Sequence, residues 1–180
     1  MVRFRWFVIL LSLALLPGCS MIIVNYDYDA ETDFRSLKKY DWLAISQELE
    51  FEHLVAKRLK NAITMNLQSK GFVHSAQDPD FVIVLQGSKE EKRDVINYSG
   101  SSYRGYRGYD TYWGGHSEVY EYEEGTVIID FISTATKKLI WRGTGTGIVE
   151  PYLSPQERDK RINDAISKLL EDFPPVKPTK

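Results

Sequence analysis

Apolar residues follow a period of two, or form short continuous runs, in five segments of the chain, and these patterns predict β-strands. In the first segment, Val24, Tyr26 and Tyr28 alternate with polar residues. In the third, an apolar run over residues 81–85 continues into a more polar strand. The predicted strands are residues 21–29, 39–43, 81–98, 118–132 and 138–149.

Two further segments repeat their apolar residues every three or four positions, which predicts amphipathic helices. The first helix is expected over residues 46–70, with Ser46 as N-cap and Gly71 as the glycine of a Schellman ending. The second begins with a capping box over residues 154–157, with Pro155 at its first position, and Pro174 stops it. The two apolar stripes consist of Phe51, Leu54, Val55, Leu59, Ala62 and Ile63, and of Ile162, Ala165, Ile166, Leu169, Leu170 and Phe173.

The order of these elements predicts an α+β fold. The last three strands follow one another through short connections and can pair as neighbours. Each helix has one apolar stripe, so both helices are expected to pack on one face of the sheet. The prediction is a two-layer domain in the order β-β-α-β-β-β-α, with a mostly antiparallel sheet of about five strands.

The N-terminus has the three parts of an export signal. Arg3 and Arg5 form a basic region, and residues 6–16 form an apolar run shorter than the roughly twenty residues of a membrane span. The sequence Leu16-Pro17-Gly18-Cys19 follows and resembles a lipobox. We therefore expect residues 1–18 to be removed as a lipoprotein signal peptide, and Cys19 to carry diacylglycerol and a fatty acyl chain such as palmitate. The alternative is an ordinary secretory signal with a chance cysteine.

The residue after the cysteine indicates which membrane holds the lipoprotein. Ser20, rather than aspartate, resembles the sorting signal of Gram-negative lipoproteins that reach the outer membrane and face the periplasm. Two acyl chains give durable attachment, because each buried CH₂ contributes about 0.8 kcal/mol. The expected location is the periplasmic face of the outer membrane, with the lipid as anchor.

Composition excludes several classes of function. Cys19 is the only cysteine of the 180 residues, so the lipidated protein has no thiol for a disulfide, for thiol chemistry or for a cysteine–zinc site. Without residues 1–18, the chain has 21 basic and 25 acidic residues, a net charge of −4 that gives no electrostatic reason to bind nucleic acid. Residues 19–173 suffice for the core of one domain, and residues 174–180 are expected to form a disordered tail. No cofactor is expected besides the covalent lipid.

Aromatic residues and arginines are interleaved with glycines over about residues 98–117. Aromatic faces and guanidinium groups can stack on sugars and on other rings. Since export separates the chain from nucleic acid, the expected partners are an envelope protein, peptidoglycan or lipid headgroups. The alternative is a flexible connection without a binding role. The candidate binding residues are Tyr98, Tyr103, Arg104, Tyr106, Arg107, Tyr109, Tyr112 and Trp113.

Four carboxylates follow this segment, at Glu118, Glu121, Glu123 and Glu124. Two carboxyl groups about 5–10 Å apart can hydrolyse a glycosidic bond, and Glu121 and Glu123 would lie roughly 7 Å apart on one strand face. Glutamates that alternate with tyrosines are also typical of a solvated strand, which is the favoured interpretation. No catalytic residue is therefore assigned.

The remaining polar motifs indicate structural roles. Residues 142–147 alternate glycine with threonine within a strand, which favours a bare strip for close packing over a phosphate loop. Asp130 lies in an apolar strand, and Arg142 on the partner strand is its expected ion pair. The histidines at positions 53, 74 and 116 lack the spacing of metal ligands, so no metal site is predicted.

The order of several short motifs resembles the bacterial envelope lipoproteins grouped as domain of unknown function 4136. The motifs are the lipobox at Cys19, residues 26–27 (Tyr-Asp), 33–34 (Asp-Phe), 40–43 (Tyr-Asp-Trp-Leu), 80–84 (Asp-Phe-Val-Ile-Val), 124–130 (Glu-Gly-Thr-Val-Ile-Ile-Asp), 139–143 (Leu-Ile-Trp-Arg-Gly) and 172–175 (Asp-Phe-Pro-Pro), with a Gly/Tyr-rich stretch between the fifth and sixth. The resemblance implies an anchored envelope domain and no particular activity.

The sequence thus favours a non-enzymatic, membrane-anchored periplasmic lipoprotein that binds an envelope partner through its aromatic segment. A peptidoglycan-acting glycoside hydrolase that uses acids near residues 118–124 is the first alternative. A purely structural envelope protein is the second.

Overall fold

The computed structural model describes residues 22–47, 49, 52–97 and 117–176. Its strands are β1 (Ile23–Tyr28), β2 (Lys39–Ile45), β3 (Val73–His74), β4 (Phe81–Asn97), β5 (Ser117–Ser133) and β6 (Leu139–Ile148). Its helices are α1 (His53–Ser69) and α2 (Pro155–Leu169), and a single 3-10 turn spans Phe34–Ser36. The strands form one sheet in the order β1-β6-β5-β4-β2-β3.

The predicted α+β class and the two helices are confirmed, and the sheet is mixed, with one strand more than expected. The pairs β1/β6, β6/β5 and β5/β4 are antiparallel, whereas β2 pairs in parallel with both β4 and β3. The additional strand β3 is only two residues long, too short to show an alternating pattern. The parallel pairing is possible because α1 carries the chain back before β3 and β4 begin.

The long first helix begins at His53, but Gln47 and Leu49, just after the predicted N-cap Ser46, are also helical, and the Leu49 N–H donates to the Ser46 carbonyl at 3.1 Å. The Ser46 hydroxyl accepts a hydrogen bond from the Gly87 N–H at 3.3 Å. Leu54, expected in the buried stripe, is 64% exposed. The buried residues of α1 are Ala56, Leu59, Ala62, Ile63 and Leu67, and residues 48, 50 and 51 lie outside the described part of the chain.

The predicted C-terminal end of α1 and N-terminal end of α2 are confirmed, whereas α2 ends at Leu169, before the predicted stop at Pro174. Gly71 has φ +85°, and the Phe72 N–H donates to the Leu67 carbonyl at 3.0 Å, which is the long hydrogen bond of a Schellman motif. At the start of α2, the Ser154 hydroxyl accepts from the Glu157 N–H, and the Glu157 carboxylate accepts from the Ser154 N–H at 2.9 Å. These bonds satisfy backbone groups that a helix end would otherwise leave unpaired.

Both helices lie on the same face of the sheet and contact each other. Arg58 of α1 and Asp159 of α2 form an ion pair at 2.5 Å. Beneath the helices, the side chain of Phe173 contacts several rings with centroid separations between 4.8 and 6.3 Å. These rings belong to Phe34, Phe72, Phe81, Phe131 and Trp141. The centre of the core is therefore aromatic, and it is completed by a residue that follows the last helix.

Strands β4 and β5 continue well beyond the rest of the sheet. They pair over their whole length, from Phe81 opposite Ser133 to Asn97 opposite Ser117. However, β6 ends at Ile148, opposite Glu124, and β2 ends opposite Leu85. Residues 91–97 and 117–123 consequently form a two-stranded projection, which we call the arm. At about 3.4 Å per residue, the arm is about 20 Å long.

Candidate functional site

The distal end of the arm presents apolar side chains to solvent on both of its faces. Val95 is 57% exposed and its partner Val119 is 60% exposed. Ile96 and Tyr120, which point to the opposite face, are 48% and 58% exposed. Exposed apolar residues are common singly, but a group of them at one place often marks an interaction surface.

The candidate binding residues of the aromatic segment, from Tyr98 to Trp113, lie outside the described residues. The structure does place the two ends of the segment, because Asn97 and Ser117 are partners in the last pair of the arm. The predicted contact segment thus connects the two strands of the arm along the chain. Sequence reasoning missed the apolar residues beside it, although Val95 and Ile96 are adjacent in a polar strand and must point to opposite faces.

The carboxylates considered for hydrolysis lie along the arm and at its base, where they form ion pairs. Glu121 is 2.9 Å from Arg93 on the partner strand. Lys92 is 2.6 Å from Glu90 and 3.8 Å from Glu124. The hydrogen bond between Lys92 and Glu90 raises the pKa of the lysine and lowers that of the glutamate. Arg93 and Glu121 lie on the two-stranded arm, whereas Glu90 and Glu124 lie at its base, where β6 pairs with β5. The ion pairs match the solvated face favoured from sequence.

Asp130 and Arg142 form the ion pair that the sequence predicts. The carboxylate accepts two hydrogen bonds from the guanidinium, both at 2.6 Å, and a third from the Gln86 amide at 3.3 Å. The Asp130 side chain is only 6% exposed, and that of Arg142 is 48% exposed. A bidentate pair of this kind fixes the register of β5 against β6, and its two hydrogen bonds satisfy both oxygens of the carboxylate. This geometry supports a structural role.

The glycines of β6 form the bare strip expected from their alternation. The Trp141 ring lies over Gly143, where an added Cβ would approach Trp141 Cη2 to 2.3 Å. Leu169 of α2 packs on the same strip, 3.0 Å from such a Cβ at Gly143 and 3.8 Å from one at Gly145. Small residues are therefore needed so that α2 and the Trp141 ring can approach the sheet closely.

Farther along the strip, a cavity of about 460 Å³ remains between the helices and the sheet. Its size is within the range of small-molecule sites, about 300–1,000 Å³. Charged groups at its rim are mostly paired, Lys89 with Glu52 at 2.8 Å and Arg161 with Glu150. This lining favours an apolar ligand. The apolar lining is Ile22, Leu49, Val55, Leu59, Val127, Ile148, Val149, Leu153, Ile162, Ala165, Ile166 and Leu169.

The two described histidines do not form a metal site. His74 lies 2.8 Å from the carboxylate of Asp41, and His53 is exposed at the start of α1. Within the described ranges, no group of three His, Cys, Asp or Glu side chains could hold an ion. The pKa of Asp41 is lowered, first by the hydrogen bond from the Trp42 N–H and then by that from His74. This pair joins the adjacent ends of β2 and β3.

Ile22, which precedes β1 and follows Cys19 by three residues, lies against α2. The ammonium group of Lys168 donates to the Ile22 carbonyl at 3.0 Å. Cys19 itself precedes the described residues. Among the helices that are described, none is long and apolar enough to cross a membrane.

Comparison with protein families gives a match over most of the domain. The family model described as "Domain of unknown function (DUF4136)" matches residues 24–175, as the order of the sequence motifs indicates. Comparison with curated proteins gives no match.

Comparison with solved structures gives several matches, and one of the following three has a TM-score above 0.5. A PDZ domain protein from Parabacteroides distasonis shares 15% identity at a TM-score of 0.53, over 87% of this chain and 37% of that one. The present chain therefore spans little more than a third of that relative, and the likeness concerns the fold alone. A PelC dodecamer from Paraburkholderia phytofirmans (13% identity, TM-score 0.43) is matched over 83% of this chain and 95% of that one. A putative neuraminyllactose-binding hemagglutinin homolog from Helicobacter pylori (11%, TM-score 0.37) is matched over 84% and 94%.

Proposed function

The chain belongs to the family described as domain of unknown function 4136, and we propose that it is a lipid-anchored, non-enzymatic binding module of the bacterial cell envelope. Cys19 carries the lipid, the domain faces the periplasm from the outer membrane, and the arm with residues 98–117 is the contact surface. The partners are the membrane, through the lipid, and an envelope protein or peptidoglycan.

The observation that supports this proposal is the arm. A two-stranded ribbon is marginally stable in water by itself, and this one adds no helix contact and leaves Val95, Ile96, Val119 and Tyr120 largely in solvent. An apolar end that continues into a Tyr/Gly/Arg segment is what a contact surface for rings or apolar groups requires.

The anchor is tested by Cys19→Ala in the full chain, expressed in a Gram-negative host. We expect an uncleaved precursor or a soluble, non-lipidated form, whereas the natural protein should float with outer-membrane vesicles and carry acyl groups on its N-terminal peptide. The control is Ser20→Ala, which should leave acylation unchanged. Full membrane retention of a correctly cleaved Cys19→Ala protein would refute the anchor.

The contact surface is tested by photo-crosslinking in intact cells. A photoreactive residue replaces Tyr109 in one strain and Val73, which is 62% exposed, in a control strain. Val73 lies in β3, at the edge of the sheet opposite to β1, and does not belong to the arm. We expect abundant adducts at position 109 and few at position 73. Equal labelling at both positions would indicate that the arm segment has no binding role.

The non-enzymatic part of the proposal is tested with purified peptidoglycan. Whether or not the protein binds peptidoglycan, it should release no soluble fragments from it. Release that is abolished by Glu121→Gln with Glu123→Gln, and kept by Glu31→Gln as a matched control outside the arm, would show a hydrolase instead.

A further inference from the structure

The floor of the cavity between the helices and the sheet is built mostly from glycine. Two neighbouring rows of residues cross β4, β5 and β6 on the face that the helices cover, and four of their six positions are glycines. Glycine weakens a strand and often marks a place where another group approaches the backbone closely. The rows are Gly87, Val127 and Gly145, and Lys89, Gly125 and Gly147.

Packing within the protein does not account for the space above Gly145. At Gly143 an added Cβ would clash with Trp141 at 2.3 Å, so the structure requires glycine there. At Gly145 the same atom would lie 3.8 Å from Leu169, which is an ordinary contact distance. A larger side chain could therefore occupy the space above Gly145, and the cavity of about 460 Å³ lies where that side chain is missing.

The walls of this cavity are aliphatic. They include Val55 and Leu59 of α1 and Ile162 and Ile166 of α2. No aromatic ring of the described residues lines the cavity, although the core around Phe173 is rich in rings. An apolar wall without aromatic faces offers dispersion contacts and exclusion of water, but no stacking surface for a ring. The ligand that it favours has an aliphatic body.

The rim of the cavity carries an excess of one positive charge. Three cations, Lys89, Arg158 and Arg161, and two carboxylates, Glu52 and Glu150, line it, and three minus two leaves a net charge of +1. Lys89 is paired with Glu52 at 2.8 Å, and Arg161 is paired with Glu150. The excess charge therefore belongs to Arg158.

The guanidinium of Arg158 has only long hydrogen bonds. It donates to the carbonyls of Pro151 and Leu153 at 3.4 and 3.5 Å. Within the described part of the chain, no carboxylate lies within ion-pair distance of it. A guanidinium presents parallel N–H groups that match the two oxygens of a carboxylate. Arg158 is thus suited to bind one anionic group at the mouth of an aliphatic cavity.

We propose that this cavity binds a fatty acid, with the aliphatic chain above the glycine rows and the carboxylate on Arg158. The volume is within the range of small-molecule sites, about 300–1,000 Å³. The residues that carry the argument lie outside the arm, so the site is separate from the contact surface proposed above. It also does not depend on the lipidation of Cys19.

The experiment uses the full chain, as isolated, in phosphatidylcholine vesicles, with a palmitic acid that carries a photoreactive diazirine in its chain. After irradiation, mass spectrometry locates the label. We expect saturable labelling of peptides from β6 and α2, which unlabelled palmitic acid displaces. Methyl palmitate has the same chain without the charge, so it should compete about tenfold more weakly, the loss expected for one hydrogen-bonded charge.

Two variants separate the roles of the cavity and of the arginine. Gly145→Leu places a side chain in the cavity and should reduce the saturable labelling at least tenfold. Arg158→Gln should weaken competition by palmitic acid about tenfold and leave competition by methyl palmitate unchanged. The matched control is Arg35→Gln, because Arg35 is 90% exposed and does not line the cavity. This control should behave like the natural protein.

Three outcomes would overturn the proposal. Labelling that does not saturate, or that a folded Gly145→Leu variant retains, would show that the fatty acid does not enter the cavity. Equal competition by acid and ester would show that Arg158 does not bind the carboxylate, and this result stands even if Gly145→Leu fails to fold. Labelling of Cys19→Ala but not of the natural chain would assign the cavity to the protein's own acyl group.

Discussion

Replacement of Gly143 by alanine tests whether the bare strip of β6 is required by close packing. The added Cβ would lie 2.3 Å from Trp141 Cη2 and 3.0 Å from Leu169 Cδ1, so the ring must move. Trp141 is 1% exposed and stacks on Phe131 with 4.8 Å between the ring centroids, which leaves the ring no free space. Overpacking of this kind costs about 1–3 kcal/mol. Alanine also lowers the conformational entropy of the unfolded chain, which stabilises the folded state by about 0.4–1 kcal/mol. We expect a net loss of about 1–2 kcal/mol in the free energy of unfolding.

The matched control is Gly145→Ala, two residues farther along the same strand and on the same face. There the added Cβ would meet Leu169 at 3.8 Å, an ordinary contact distance. This variant should be neutral or up to about 1 kcal/mol more stable, because only the unfolded-state effect remains. Urea unfolding followed by circular dichroism gives both free energies. In a thermal scan, each kcal/mol corresponds to about 2–4 °C for a domain of this size.

A second measurement tests the cause of the loss. If the clash with the indole is responsible, Trp141→Phe should lessen the effect of Gly143→Ala, since a smaller ring leaves more room. The double-mutant cycle should then give a favourable interaction energy of about 0.5 kcal/mol or more. Equal stability of Gly143→Ala and Gly145→Ala, or strict additivity with Trp141→Phe, would refute the packing argument.

Three further changes have outcomes that follow from single contacts. Asp130→Ala leaves Arg142 without its carboxylate partner, and removal of one member of a fully buried pair costs about 3–5 kcal/mol. Because Arg142 is half exposed, we expect the free energy of unfolding in a denaturant melt to fall by about 2 kcal/mol. Ser154→Ala removes the capping box of α2 and should cost about 1 kcal/mol, whereas Ser154→Asp should retain most of the stability. Asp41 has a pKa in the folded protein below its ordinary value of 3.8. Its ionised carboxylate therefore stabilises the fold above about pH 4, and this contribution is lost as the pH falls through the pKa of the folded protein. The advantage of the natural protein over Asp41→Asn should therefore shrink below about pH 4 in urea melts, and an advantage independent of pH would contradict the assignment.

Elements specified by local chemistry could be predicted from the sequence. The end of α1 and the start of α2 depend on residues that act within one turn, Gly71 and Ser154, and both were placed correctly, whereas the end of α2 at Leu169 precedes the predicted stop at Pro174. The pair of Asp130 and Arg142 could be predicted because one hairpin sets its register. The stripe of α2 is also confirmed, since Ile166 and Leu169 are buried.

Features that depend on distant parts of the chain could not be predicted. The parallel pairing of β2 with β4 requires the α1 crossover to fix the direction of both strands, and no residue of β2 indicates its partner. The extent of the arm depends on where β6 and β2 stop, so it is set by the neighbouring strands and not by the composition of β4 or β5. The exposure of Val95 and Val119 follows from that difference in strand length.

The contacts of Phe173 have a consequence for a chain that is synthesised from its N-terminus onwards. The aromatic core closes only when Phe173 is available, and β1 finds its partner β6 only when residues 141–146 have been made. Until the last part of the chain emerges, the N-terminal strand has nothing to pair with and the core lacks its central ring. The domain therefore completes its core and its sheet only when its C-terminal end is present, so the order of synthesis delays folding until the chain is almost finished.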